Sequence, residues 1–126
     1  MKSILIIVLV LIMVFISGYF MSDYINRSSK SIDIELFKLY EVVRTNNWVS
    51  ASQNLLKMEN KWKDEKDSWA ILVDHLEIDN INLSISKMKE YIKEKDTVDA
   101  LAEISSLRLL FEHIPRKDSL TWTNIL

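Results

Sequence analysis

Apolar positions in this chain follow two regimes. From Ile4 to Ile16 every residue is apolar, and Gly18, Tyr19, Phe20 and Met21 prolong the run with only Ser17 and Gly18 interrupting it. At a rise of about 1.5 Å per residue these 18 positions reach roughly 27 Å, near the hydrocarbon thickness of a bilayer. A soluble core helix needs a polar side, and this run has none. The reading is a membrane-spanning segment over 1–22. It is kept rather than cleaved as a signal peptide, because the run continues past Ile16-Ser17-Gly18 into aromatics suited to an interface.

Beyond Ser22 the pattern becomes periodic. Ile32, Leu36, Leu39, Tyr40 and Val43 recur at three and four with charges between them, which predicts an amphipathic helix ending at Thr45-Asn46-Asn47. A second helix starts near Trp48 and carries a seven-residue ladder of Trp48, Leu55, Trp62, Trp69 and Leu76. The ladder breaks at Glu65, inside Lys63-Asp64-Glu65-Lys66-Asp67-Ser68, where the helix is either wetted all round or ends with Ser68 capping a separate one. Asp74 followed by Glu77 has the form of a capping box, and Ile78, Ile81, Ile85, Met88 and Ile92 then define a third helix. Asp96 or Thr97 caps a fourth, with Leu101, Ile104, Leu107, Phe111 and Ile114 inward and Pro115 as its stop. An echo 49 residues apart, Asn47-Trp48-Val49-Ser50-Ala51 and Asp96-Thr97-Val98-Asp99-Ala100, opens the second arm of each presumed helix pair.

The expected fold is all-α: an N-terminal transmembrane helix followed by a small bundle of about four helices, arranged as two antiparallel hairpins. The divisions are 1–22 anchor, 23–31 juxtamembrane segment, 32–115 bundle and 116–126 tail. Ser28-Ser29-Lys30-Ser31 reads as a linker or as a polar section of one continuous helix. Leu120, Trp122, Ile125 and Leu126 of the tail are expected to pack back on the bundle.

Composition narrows the function. In 126 residues there are one Gly, one Pro and no Cys, so phosphate-cradling loops, disulfides and thiolate chemistry are excluded. The net charge of -2 speaks against nucleic acid as a partner. Lys2 precedes the apolar run as in signal-anchored chains, which places the soluble part outside the cytoplasm at a cell membrane crossed once.

An N-terminal anchor followed by Asn47-Trp48, Lys61-Trp62, Asp74-His75-Leu76-Glu77-Ile78-Asp79-Asn80-Ile81 and Phe111-Glu112-His113-Ile114-Pro115 resembles the family of domains of unknown function 4363, from spore-forming anaerobic bacteria. The resemblance extends from the apolar start to Asn124-Ile125-Leu126, with Leu76 departing from the acidic or polar residue expected there. It implies a short, membrane-anchored, all-helical protein with no assigned activity, ligand or site, so no residue inherits a role.

Two residue sets carry candidate chemistry. Asp74, His75, Glu77, Asp79, Glu103 and His113 form a capping or buried polar network; the sharper alternative, a metal-binding sensor or hydrolase, uses His75, Asp79, Glu103 and His113. Without HExxH spacing or a marked nucleophile, no catalytic residue, metal or cofactor is assigned and no enzyme is expected. Trp62 and Trp69 plug the core of a thin bundle or, flanking the charged run, offer an aromatic face to a partner. The functional expectation is an extracytoplasmic protein-interaction or accessory subunit meeting a membrane-protein partner. The alternative is a self-associating structural spacer.

Overall fold

The computed structural model describes residues 1–124, with side-chain surroundings through Lys117, as four helices: α1 Lys2–Arg44, α2 Trp48–Leu72, α3 His75–Lys93 and α4 Thr97–Asn124. Each packs against its neighbours in a ring, α1 on α2 and α4, α3 on α2 and α4, so the chain runs up, down, up, down. The expected all-α bundle of two hairpins is what forms. Ile125, Leu126 and the side chains of Leu120 and Trp122, expected to fold back, lie outside the described residues.

The two hairpins turn in the same way, which explains the 49-residue echo. Asn46 and Lys95 adopt left-handed backbone, with φ of 57° and 55°. The next N–H reaches back five residues, Asn47 to the Val42 carbonyl at 2.9 Å and Asp96 to that of Tyr91 at 2.8 Å. Asn46 and Lys95 bond to the Val43 and Ile92 carbonyls. These are Schellman closures, and they satisfy carbonyls that a helix end would otherwise leave bare. Asn47 Oδ1 and Asp96 Oδ1 then accept from the Ser50 and Asp99 N–H groups and start the descending helices. Ala51 and Ala100 are fully buried one turn below, where a larger side chain would force the arms apart. Thr97 Oγ1 donates to Asn46 Oδ1 at 2.5 Å and ties the two turns together.

α1 is unbroken for 43 residues. Its first part is long and apolar enough to cross a membrane, alone among the described helices. Ile4 to Ile16 are each 47–66% exposed, so no part of the bundle covers them. Gly18 is the first buried residue of the helix. Packing begins in earnest at Ile25, and Ser28 and Ser29 are buried with it. Of the two readings of Ser28–Ser31, the polar section of one continuous helix is the one that forms, and the bundle starts about two turns before Ile32, because small hydroxyl side chains let α1 approach its neighbours closely.

Of the two alternatives left open at Lys63–Ser68 the continuous helix is the one that forms, and the expected stop at Pro115 is absent. α2 passes through Lys63 to Ser68 as helix, because Glu65, at the ladder's inward position, accepts the Tyr24 hydroxyl of α1 instead of meeting an apolar side chain. α4 likewise passes through Pro115 to Asn124, so residues 116–124 continue the helix rather than forming a tail. A proline within a helix frees the carbonyl four residues earlier, here that of Phe111. The buried Ser29 hydroxyl of α1 donates to that carbonyl, which removes the cost of leaving it unpaired.

Candidate functional site

The aromatic centre of the bundle lies near the end from which the apolar run leaves. Trp62 and Trp69 of α2 and Phe111 of α4 meet edge to face, with ring centroids 5.4–5.6 Å apart. Trp62 is 4% exposed and Trp69 fully buried. Each indole N–H is satisfied: Trp62 donates to Asn82 Oδ1 at 3.0 Å and Trp69 to Ser28 Oγ at 2.9 Å. The proposed aromatic docking face is thereby corrected. Both tryptophans point inward because the heptad stripe of α2 faces the interior of the bundle, and a partner can reach them only if the bundle opens.

The polar network is not assembled as one unit either. Asp74 caps α3, its carboxylate accepting the Leu76 N–H at 2.8 Å. Glu77, the other half of the expected box, instead takes Lys117 of α4 at 3.0 Å. Glu103 accepts the buried Ser84 hydroxyl at 2.6 Å, midway along the α3–α4 contact. His75, Asp79 and His113 are exposed. Among the described residues no three His, Asp or Glu side chains come together as a metal site. Helical spacing put His75 and Asp79 on one face, but that face looks outward, and Glu103 sits higher in the bundle.

Sequence reasoning missed the groove between α1 and α4. This cavity of about 500 Å³ is lined by Lys30, Asp33, Arg108, Leu109, Glu112 and Pro115 among others. Arg108 grips Asp33 with two bonds, Nε at 2.7 Å and Nη2 at 3.1 Å, and lies 5.2 Å from the centre of the Phe37 ring. The Asp33 bond raises the Arg108 pKa above its ordinary value, against the effect of burial. Both partners are about a third exposed, so the pair is worth at most about 1 kcal/mol and serves mainly to fix the side chains. Ile34, Phe37 and Leu109 stand 56%, 50% and 53% exposed on the adjoining surface. A charged pair bordered by apolar side chains is suited to holding a polypeptide. The only signal for this groove in the sequence was the apolar Ile34, Phe37 and Leu109 lying off the inward stripe.

A family model described as domain of unknown function (DUF4363) matches residues 19–125, which leaves most of the apolar run outside the match. No curated protein and no solved structure matches the chain.

Proposed function

The chain belongs to the domain of unknown function 4363 family, and from its own geometry we propose a single-pass membrane-anchored module that works as an interaction or accessory subunit, without catalysis of its own. The observation that carries this reading is the continuity of α1. One helix supplies both an uncovered apolar rod and a wall of the bundle, so a bundle anchored this way stands at a fixed height over the bilayer. Confinement to that layer raises effective concentration, and a modest interface suffices. Lys2 ahead of the run favours an extracytoplasmic bundle.

The partner surface in this reading is the α1–α4 face rather than the tryptophan stripe. A membrane partner's helix lying along α1 in lipid can continue up the same helix to Ile34 and Phe37 without changing direction. The bundle domain folds around a buried core that these residues do not enter, so Phe37→Ser with Leu109→Ser tests the face without emptying the core. Wild-type full-length chain solubilised in mild detergent is expected to co-purify with a membrane protein, and the folded double variant to lose it. Equal recovery of the same protein by both forms overturns the assigned face. Self-association gives a different outcome, a homo-oligomer in light scattering with no second protein.

Anchoring has its own test. The intact chain is expected to stay with membranes through alkaline carbonate washing, and protease added to whole cells to digest the bundle. Mature protein that starts beyond Gly18 and is free in the medium overturns it.

A further inference from the structure

We propose that the end of the bundle nearest the apolar run is a lipid-contacting surface: the turn between α2 and α3 places Ile71 and Leu76 in the interfacial layer of the bilayer that α1 crosses. The inference deepens the anchoring read above and rests on it. Helix register sets the height. Tyr24 of α1 bonds Glu65 of α2, and Ser28 bonds Trp69, so α2, which ends at Leu72, finishes level with the close of the apolar run around Met21. There the chain turns through Val73 and Asp74 and starts upward again.

Two large apolar side chains stand exposed at this turn, beside the exposed Asp74 and His75. Ile71 is 82% exposed and Leu76 66% exposed. Val73 between them is buried, and the Asp74 carboxylate is drawn onto the Leu76 N–H. Scattered exposed apolar residues need no explanation. These two flank one turn, five positions apart, at the height where the apolar run of α1 ends. Lys117 and Arg116 of α4 are exposed at the same end, where Lys117 pairs with Glu77 and Arg116 with Glu112. Two footholds instead of one resist tilting about the α1 outlet and keep the α1–α4 face pointing one way.

The chain has no cysteine, so single-cysteine forms of the full-length protein carry one reporter each. A polarity-sensitive fluorophore is attached at Ile71→Cys, Leu76→Cys, Val49→Cys, Val98→Cys and Ile12→Cys, each protein is placed in phosphatidylcholine nanodiscs, and nitroxide-bearing lipid is the quencher. Val49 and Val98, 73% and 76% exposed at the far end, are the aqueous references; residue 12 reports on the anchor. Helical circular dichroism verifies each fold, and amide broadening by the same lipid reads residues 71–76 in the unsubstituted chain. Quenching at 71 and 76 is expected to exceed that at 49 and 98 several-fold, with blue-shifted emission. If residue 12 is quenched while 71 and 76 behave like 49 and 98, the bundle stands clear of lipid and the inference fails with the anchor intact. If residue 12 is not quenched, the anchor reading fails and takes the inference with it.

Discussion

Ser29 and Pro115 depend on each other although 86 positions separate them in the sequence. Proline leaves the Phe111 carbonyl without its helical donor, and Ser29 supplies one from another helix. Ser29→Ala is therefore expected to cost about 1–3 kcal/mol, the penalty of a buried unpaired carbonyl. In a Pro115→Ala background, where residue 115 regains its N–H, the same change should cost much less. A denaturant-based double-mutant cycle measures that coupling, and additive effects would contradict it. Tyr24 gives a pH test. The bond to Glu65, then burial, raises its pKa above 10.0. The folded state thus holds the phenol proton more tightly than the unfolded chain does. The associated stability is fully present below about pH 10 and disappears as pH rises through the raised value. The stability difference between wild type and Tyr24→Phe, followed by denaturation from about pH 8 to about pH 11.5, should shrink across the alkaline end of that range.

At the level of elements, the two matched turns differ in one respect that experiment can use. Asn46 tolerates left-handed backbone through its short polar side chain, whereas Lys95 does not. Lys95→Gly should therefore stabilise the bundle by about 1 kcal/mol, seen as a raised Tm, while Asn46→Gly should gain less and lose the bond from Thr97. The tryptophans behave as core. Trp69→Ala is expected to cost about 3–5 kcal/mol and to leave Ser28 without its indole donor. Loss of partner capture in such a variant would report unfolding rather than a lost contact, which is why the α1–α4 face is the better place to probe binding.

For the whole molecule, the decisive property is that α1 joins two kinds of surface. Its lower half has lipid-like chemistry on every side and its upper half has an inward stripe, and no break lies between them. In the anchored reading proposed above, any tilt of the apolar rod is transmitted to the bundle, so a helix breaker at the junction should uncouple the two. Asn26→Pro in the full-length chain is expected to leave membrane retention intact while lowering the bundle's Tm. It removes an α1 hydrogen bond next to the buried Ile25 and Ser28. Retention is read by carbonate washing and the Tm by circular dichroism in detergent.

Helix number, hairpin turns and the length of the apolar rod were legible in the sequence because each is written in a window of a few residues: periodicity of three and four, Asn and Asp at the turns, a run without charge. The ends of elements were less so. Pro115 carries a local signal for a stop and Lys63–Ser68 left a stop or a continuous helix open; in both places the helix continues, with a partner on α1. What only the tertiary structure decided was the destination of each polar and aromatic group. Trp69 finds Ser28 at 41 positions' distance and Ser29 finds Phe111 at 82. No local pattern encodes such pairings, since they depend on how four helices are rotated and staggered once their apolar stripes have been buried together.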